Sequence, residues 1–155
     1  MRCSRRLTVL GVPLALALMV VHAVAAYAGQ RVNKDGDQIA ILGFDTVAYF
    51  TEGRPVAGTA DFEHAWQGAT WRFSKAEHRD LFAEDPERYA PRYGGFCAGA
   101  MARGFRLTID PEAWIIVDDK LYLNFSHRGV DLLVANPDKQ IAKADENWKT
   151  LGKPE

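Results

Sequence analysis

At 155 residues, 48% hydrophobic and with a formal net charge of −1, the chain fits one domain with its own core. Its 19 lysines and arginines are offset by 20 acidic residues and form no basic cluster, which argues against nucleic acid as a partner. Two cysteines, Cys3 and Cys97, are too few for a disulfide scaffold.

The first 28 residues read as a secretory signal peptide. Arg2, Arg5 and Arg6 precede an apolar run over 7–24 that has no acidic residue, and Ala26-Tyr27-Ala28 supplies a small-residue cleavage site. The run reaches the lower length of a spanning helix, so an uncleaved anchor is the competing reading. The well-formed cleavage site favours removal, which leaves no stable membrane span. Ser4-Arg5-Arg6 suggests a twin-arginine signal, but Leu7-Thr8-Val9 fits that pattern poorly, so Sec and Tat export both stay open. Cleavage removes three positive charges and no negative ones, so the periplasmic or secreted chain over 29–155 carries −4. It also removes Cys3. A lone Cys97 in an oxidising compartment is then a metal ligand, an intermolecular bridge, a reactive thiol or a packed core residue.

Residues 29–38 are polar and read as a flexible lead-in, 39–151 as the domain and 152–155 as a C-terminal tail. Residues 39–42 read as a short strand or extended arm. Val47-Ala48-Tyr49-Phe50 is β-prone and apolar throughout, as a buried strand would be. A hairpin follows, with 61–66 and 70–73 flanking Gln67-Gly68-Ala69; Phe62, His64 and Trp66 share one face by period two. Ser74 and Glu77 match the S-x-x-E capping box ahead of a helix over 75–84 whose apolar face is Leu81 and Phe82. Asp85-Pro86 opens a second helix over 86–93. Beyond Gly94-Gly95, residues 97–102 suit a tightly packed helix that Gly104 ends. Residues 107–109 read as a strand and 110–113 as a turn; 114–117 and 121–125 form a second hairpin. Helices follow over 130–135 and from Asn136-Pro137 to about 151, where Ile141, Ala144 and Trp148 share a face. Two β-hairpins packed against several short helices, without βαβ alternation, define an α+β fold.

Cys97 and Met101 are spaced i, i+4, so a helix places both sulfurs on one face. Thiolate and thioether are a soft pair suited to Cu(I), while the plain reading of both is core packing. His64, His78 and His127 show no H-x-x-x-H spacing; His127, just after a strand end, is the best-placed ligand candidate among them. Asp45 offers a carboxylate oxygen, although an aspartate at a turn more often bonds backbone amides. Gly94-Gly95 lacks the lysine and spacing of a phosphate loop. No Ser/His/Asp order or carboxylate pair stands out, so the chain reads as a binding protein and not an enzyme. Thiol chemistry needs a base that the sequence does not place.

Several motifs point the same way: Phe44-Asp45-Thr46-Val47-Ala48-Tyr49-Phe50, Asp85-Pro86-Glu87-Arg88-Tyr89-Ala90-Pro91 and Tyr93-Gly94-Gly95-Phe96-Cys97-Ala98. Ile109-Asp110-Pro111-Glu112-Ala113-Trp114, Leu121-Tyr122-Leu123-Asn124-Phe125 and Lys143-Ala144-Asp145-Glu146-Asn147-Trp148 extend them over nearly all of 29–155. Together they resemble the YHS-domain family, in particular its secreted bacterial branch. The wider YHS and TRASH-like families are associated with metal handling, some beside heavy-metal transporters. The resemblance therefore implies metal binding; the expectation built on it is copper or zinc at a site centred on Cys97, with envelope metal-handling proteins as partners. Met101, His127 and Asp45 are the further candidate ligands by chemistry. Metal-associated relatives carry cysteine in a D-P-V-C segment; here Asp45-Thr46-Val47-Ala48 has alanine. The competing expectation is a non-metal binding or interaction module in which Cys97 only packs.

Overall fold

The computed structural model describes residues 31–153. The expected signal peptide over 1–28 and the end of the expected tail lie outside them. Among the described residues no helix is long and apolar enough to cross a membrane.

Polarity predicts a loose lead-in, yet the described part of this arm is tied down. Val32 and Asn33 are buried. The Asn33 N–H donates to Gly94 O at 2.8 Å and its Nδ2 to Gly95 O at 3.0 Å, while Ile41 N–H donates back to Asn33 O. Asparagine can enter a core when its polar atoms find such partners. A Cβ at Gly94 would lie 1.8 Å from Arg31 O, so the double glycine is where the arm passes too close for any side chain. Ile39 then bridges Thr70 in parallel, and Ile41–Gly43 form a 3₁₀ turn.

Helix α1 spans Thr46–Thr51, where composition predicts a strand. A short run that is buried all round has no period to tell strand from helix. The local cap decides: the Asp45 side chain accepts from the N–H groups of Val47 and Ala48 and starts a helix. The first hairpin is as expected, with β1 (Thr59–Trp66) antiparallel to β2 (Ala69–Phe73). Its two-residue turn has positive φ at both Gln67 and Gly68, the type I′ geometry that suits twisted strands.

Helix α2 (Ala76–Glu84) lacks the expected capping box. Its N-cap is Lys75, with no side-chain bond, because Ser74 is drawn to Asp45 instead. Phe82 is buried, whereas Leu81 faces solvent and His78 takes its expected place inside. Helix α3 stops after one turn, Pro86–Tyr89, short of the expected 93. Pro91 follows, and Tyr93 and Gly94 take left-handed conformations within the 3₁₀ segment Arg92–Gly95. Helix α4 (Ala98–Met101) has Cys97 as its N-cap, and Gly104 at φ +88° closes the turn after it.

The strand expected over 107–109 is irregular chain, and the turn expected over 110–113 is the start of β3 (Asp110–Val117). The turn reading survives in part as a bulge, whereas the strand reading of 107–109 does not. Asp110 pairs with Asn124 before the register shifts to Trp114 and Leu123, and Asp110 Oδ1 accepts the Glu112 N–H. Strand β4 (Lys120–Asn124) returns across a second turn with positive φ at Asp118 and Asp119. Helix α5 (His127–Ala135) begins three residues earlier than expected, and α6 (Pro137–Leu151) starts at its Asn136 cap.

Over the described residues the result is an α+β fold of six α-helices and two separate antiparallel hairpins. The β3–β4 hairpin sits between two hydrophobic clusters. Leu121 and Leu123 of β4 join Tyr49, Trp71, Phe73 and Phe82 on one side; Tyr122 joins Tyr93, Phe96, Met101 and Ala144 on the other. Alternate residues of one strand therefore feed two cores, as the two-residue period requires.

Candidate functional site

Cys97 stands at the junction of α4, β4 and the start of α5. As an N-cap it has non-helical backbone, and its Sγ accepts from Ala100 N–H at 3.4 Å. A second N–H, from Phe125, reaches Sγ at 3.3 Å. Asn124 Oδ1 lies 3.9 Å from Sγ, within reach of the thiol proton, and accepts Gly99 N–H at 3.1 Å. Asn124 is wholly buried, and its Nδ2 has no partner. A Cβ at Gly129 would come within 3.1 Å of Asn124 Oδ1, so glycine lets α5 approach the buried amide. The sulfur is thus a joint: weak hydrogen bonds from two elements converge on it.

Above this joint opens a groove of about 170 Å³. Cys97 and Ala100 form its floor, and Phe105, Leu107, Phe125 and Leu132 give it apolar walls. Phe125 and Leu132 are 53% and 43% exposed, so two of its walls offer apolar surface to solvent. Arg103 and Arg128, both exposed, also line it, and no acidic residue does.

The other candidate ligands lie elsewhere. Met101 is fully buried in the second cluster, whereas Cys97 belongs to the first. Their i, i+4 spacing does not align them because Cys97 precedes the helix proper. His127 is exposed at the first position of α5. His64 is half-buried with its ring against Phe82 at 5.9 Å.

Asp45 is fully buried and already saturated. Oδ1 accepts from Val47 and Ala48, while Oδ2 accepts from Ser74 N–H at 2.8 Å, Ser74 Oγ at 2.7 Å and His78 Nδ1 at 2.7 Å. His78 Nε2 lies 3.1 Å from Thr51 Oγ1, which itself donates to Val47 O. The Asp45–His78–Thr51 line has the residue types of a hydroxyl relay. Its role here is a brace that ties α1, the end of β2 and α2 together. A further, half-buried contact joins α6 to the 3₁₀ segment: the Tyr93 hydroxyl donates to Asp145 Oδ1 at 3.0 Å. Burial first, then the Asp145 carboxylate, pushes the Tyr93 phenol well above its ordinary value. Tyr49, donating to Pro111 O, is raised likewise by burial and then by Glu112, Asp110 and Asp45.

Among the described residues no group of three or more His, Cys, Asp or Glu side chains is arranged to hold a metal ion. Sequence reasoning singled out Cys97 but not Asn124, Arg103 and Arg128, which the structure places around it. The one available signal was an asparagine ending an otherwise apolar strand. No family model, curated protein or solved structure matches the chain.

Proposed function

We propose that the chain is an exported YHS-type binding module, not an enzyme, that takes a small non-metal ligand in the groove above Cys97. The motifs from Phe44 to Trp148 support the family reading, and the 1–28 pattern supports export. The observation that carries the ligand reading is the sulfur's surroundings. Cys97 Sγ is engaged by two backbone N–H groups, beside a groove with exposed apolar walls. Copper or zinc does not fit the described donor set: Cys97, Met101, His127 and Asp45 have four different environments, and a metal needs several ligands within bonding reach at once. No imidazole or carboxylate is hydrogen-bonded to Sγ, so the base a thiol nucleophile requires is not in contact with it.

Titration of the reduced protein and of Cys97→Ser with Cu(I) and with Zn(II) tests this reading. Equal, weak uptake by both proteins is expected. Uptake at about micromolar affinity or tighter that Cys97→Ser abolishes would overturn it in favour of a metal centre.

A further inference from the structure

The groove combines three features: apolar walls left open, two guanidinium groups and, among the described residues, no carboxylate lining it. Neither Arg103 nor Arg128 forms an ion pair among the described residues. Arg103 spends one N–H of Nη1 on Gly99 O at 3.3 Å, which steadies the side chain beside α4 and leaves the rest of its fork to donate. The protein around them is acidic overall once the signal is removed, so this local positive field stands against the general charge.

From this, and resting on the groove reading above, we infer that the ligand is a small amphipathic monocarboxylate. Its apolar body lies against Phe105, Leu107 and Leu132, and its carboxylate meets Arg103 and Arg128. Guanidinium forks match the planar, two-oxygen geometry of a carboxylate and bind it by paired charge-assisted hydrogen bonds. Size limits the body. A cavity of roughly 150 Å³ accepts benzene, so about 170 Å³ suits the body of an aryl acid or a short-chain fatty acid. The exposed ring of Phe125 is placed to cover such a body. The half-open shape also matches a ligand that keeps its charged end in water while its body is sheltered.

Titrating the reduced, purified protein with benzoate and pentanoate, and separately with benzamide and benzyl alcohol, tests the assignment. The readout is the set of backbone amide shifts of Gly99, Phe125 and Gly129 in a two-dimensional NMR spectrum. Saturable shifts are expected for the acids, with Kd of about 1 mM or tighter. The Arg103→Gln/Arg128→Gln double variant is expected to lose roughly tenfold or more of that affinity while its spectrum stays otherwise folded. Equal binding of acids and neutral probes, unchanged in the double variant, would overturn the carboxylate assignment and leave the groove reading standing. No shift from any of the four probes would overturn both.

Discussion

Asp45 and Cys97 do the same local job in opposite surroundings. Each is the N-cap of a short helix, and each accepts backbone N–H groups with its side chain. Asp45 is sealed, with both oxygens filled and His78 bonded beside it. Cys97, only 4% exposed, accepts weaker bonds on a soft atom and lies beneath an open groove that it helps to line. A group whose every acceptor site is used inside the fold has nothing left for a ligand and contributes stability. A cap beside unfilled space supports a surface where a ligand can sit. Residue type alone does not separate the two, since both are chemically capable of binding a metal.

Breaking the sealed cap should have the largest effect. Asp45→Ala orphans two helix N–H groups, Ser74 and His78 together, and is expected to cost about 3–5 kcal/mol in denaturant unfolding. A domain of this size has only about 5–15 kcal/mol in hand, so the variant should be close to unfolding at ambient temperature. Retention of wild-type stability would mean that the brace is not formed in solution.

Alkaline pH should weaken the fold next. Tyr49 and Tyr93 have phenols raised above the ordinary value of 10.0. A raised folded-state value means that the unfolded chain loses its phenolic protons first. The stability is therefore complete below about pH 10 and declines as pH rises beyond it. Tyr49→Phe and Tyr93→Phe should each flatten that decline in a series of melts between pH 9 and 11, which are test conditions set about the ordinary tyrosine range. An unaltered slope in both would contradict the burial of these hydroxyls.

The open cap should matter less. Cys97→Ala removes a weak acceptor from one short helix and is expected to cost roughly 1 kcal/mol, the usual scale for a lost cap. Smallest of all, Arg103→Gln and Arg128→Gln should leave the melting temperature almost unchanged, as exposed substitutions usually do. A large loss in either would make these arginines part of the framework instead of the groove's chemistry.

Much of the fold was legible where the signal is local. Gln67-Gly68 marks a two-residue hairpin turn because glycine accepts positive φ, and Asn136-Pro137 marks the start of α6 because proline fits the first helical position. Long-range partners overrode local signals elsewhere. Ser74 matches a capping box, but Asp45, 29 residues earlier, takes both of its donors. The run 47–50 is buried on every side, so its composition could not reveal a helix. Residues 110–113 look like a turn because a bulge borrows turn chemistry inside a strand. The site follows the same rule. A lone cysteine after a double glycine is visible in the chain, whereas Asn124 and Phe125 reach it from 27 and 28 residues away. The spacing of Cys97 and Met101 is read correctly, but the helix begins one residue too late for it to apply.

The contrast between the two caps is tested most directly by alkylating Cys97 with iodoacetamide in the folded, reduced protein across a series of low denaturant concentrations. A sulfur that borders an open groove reacts through the native state, at a rate independent of denaturant and faster than global unfolding. Labelling that proceeds only at the rate of global unfolding would place Cys97 in a core as sealed as that of Asp45 and contradict the account.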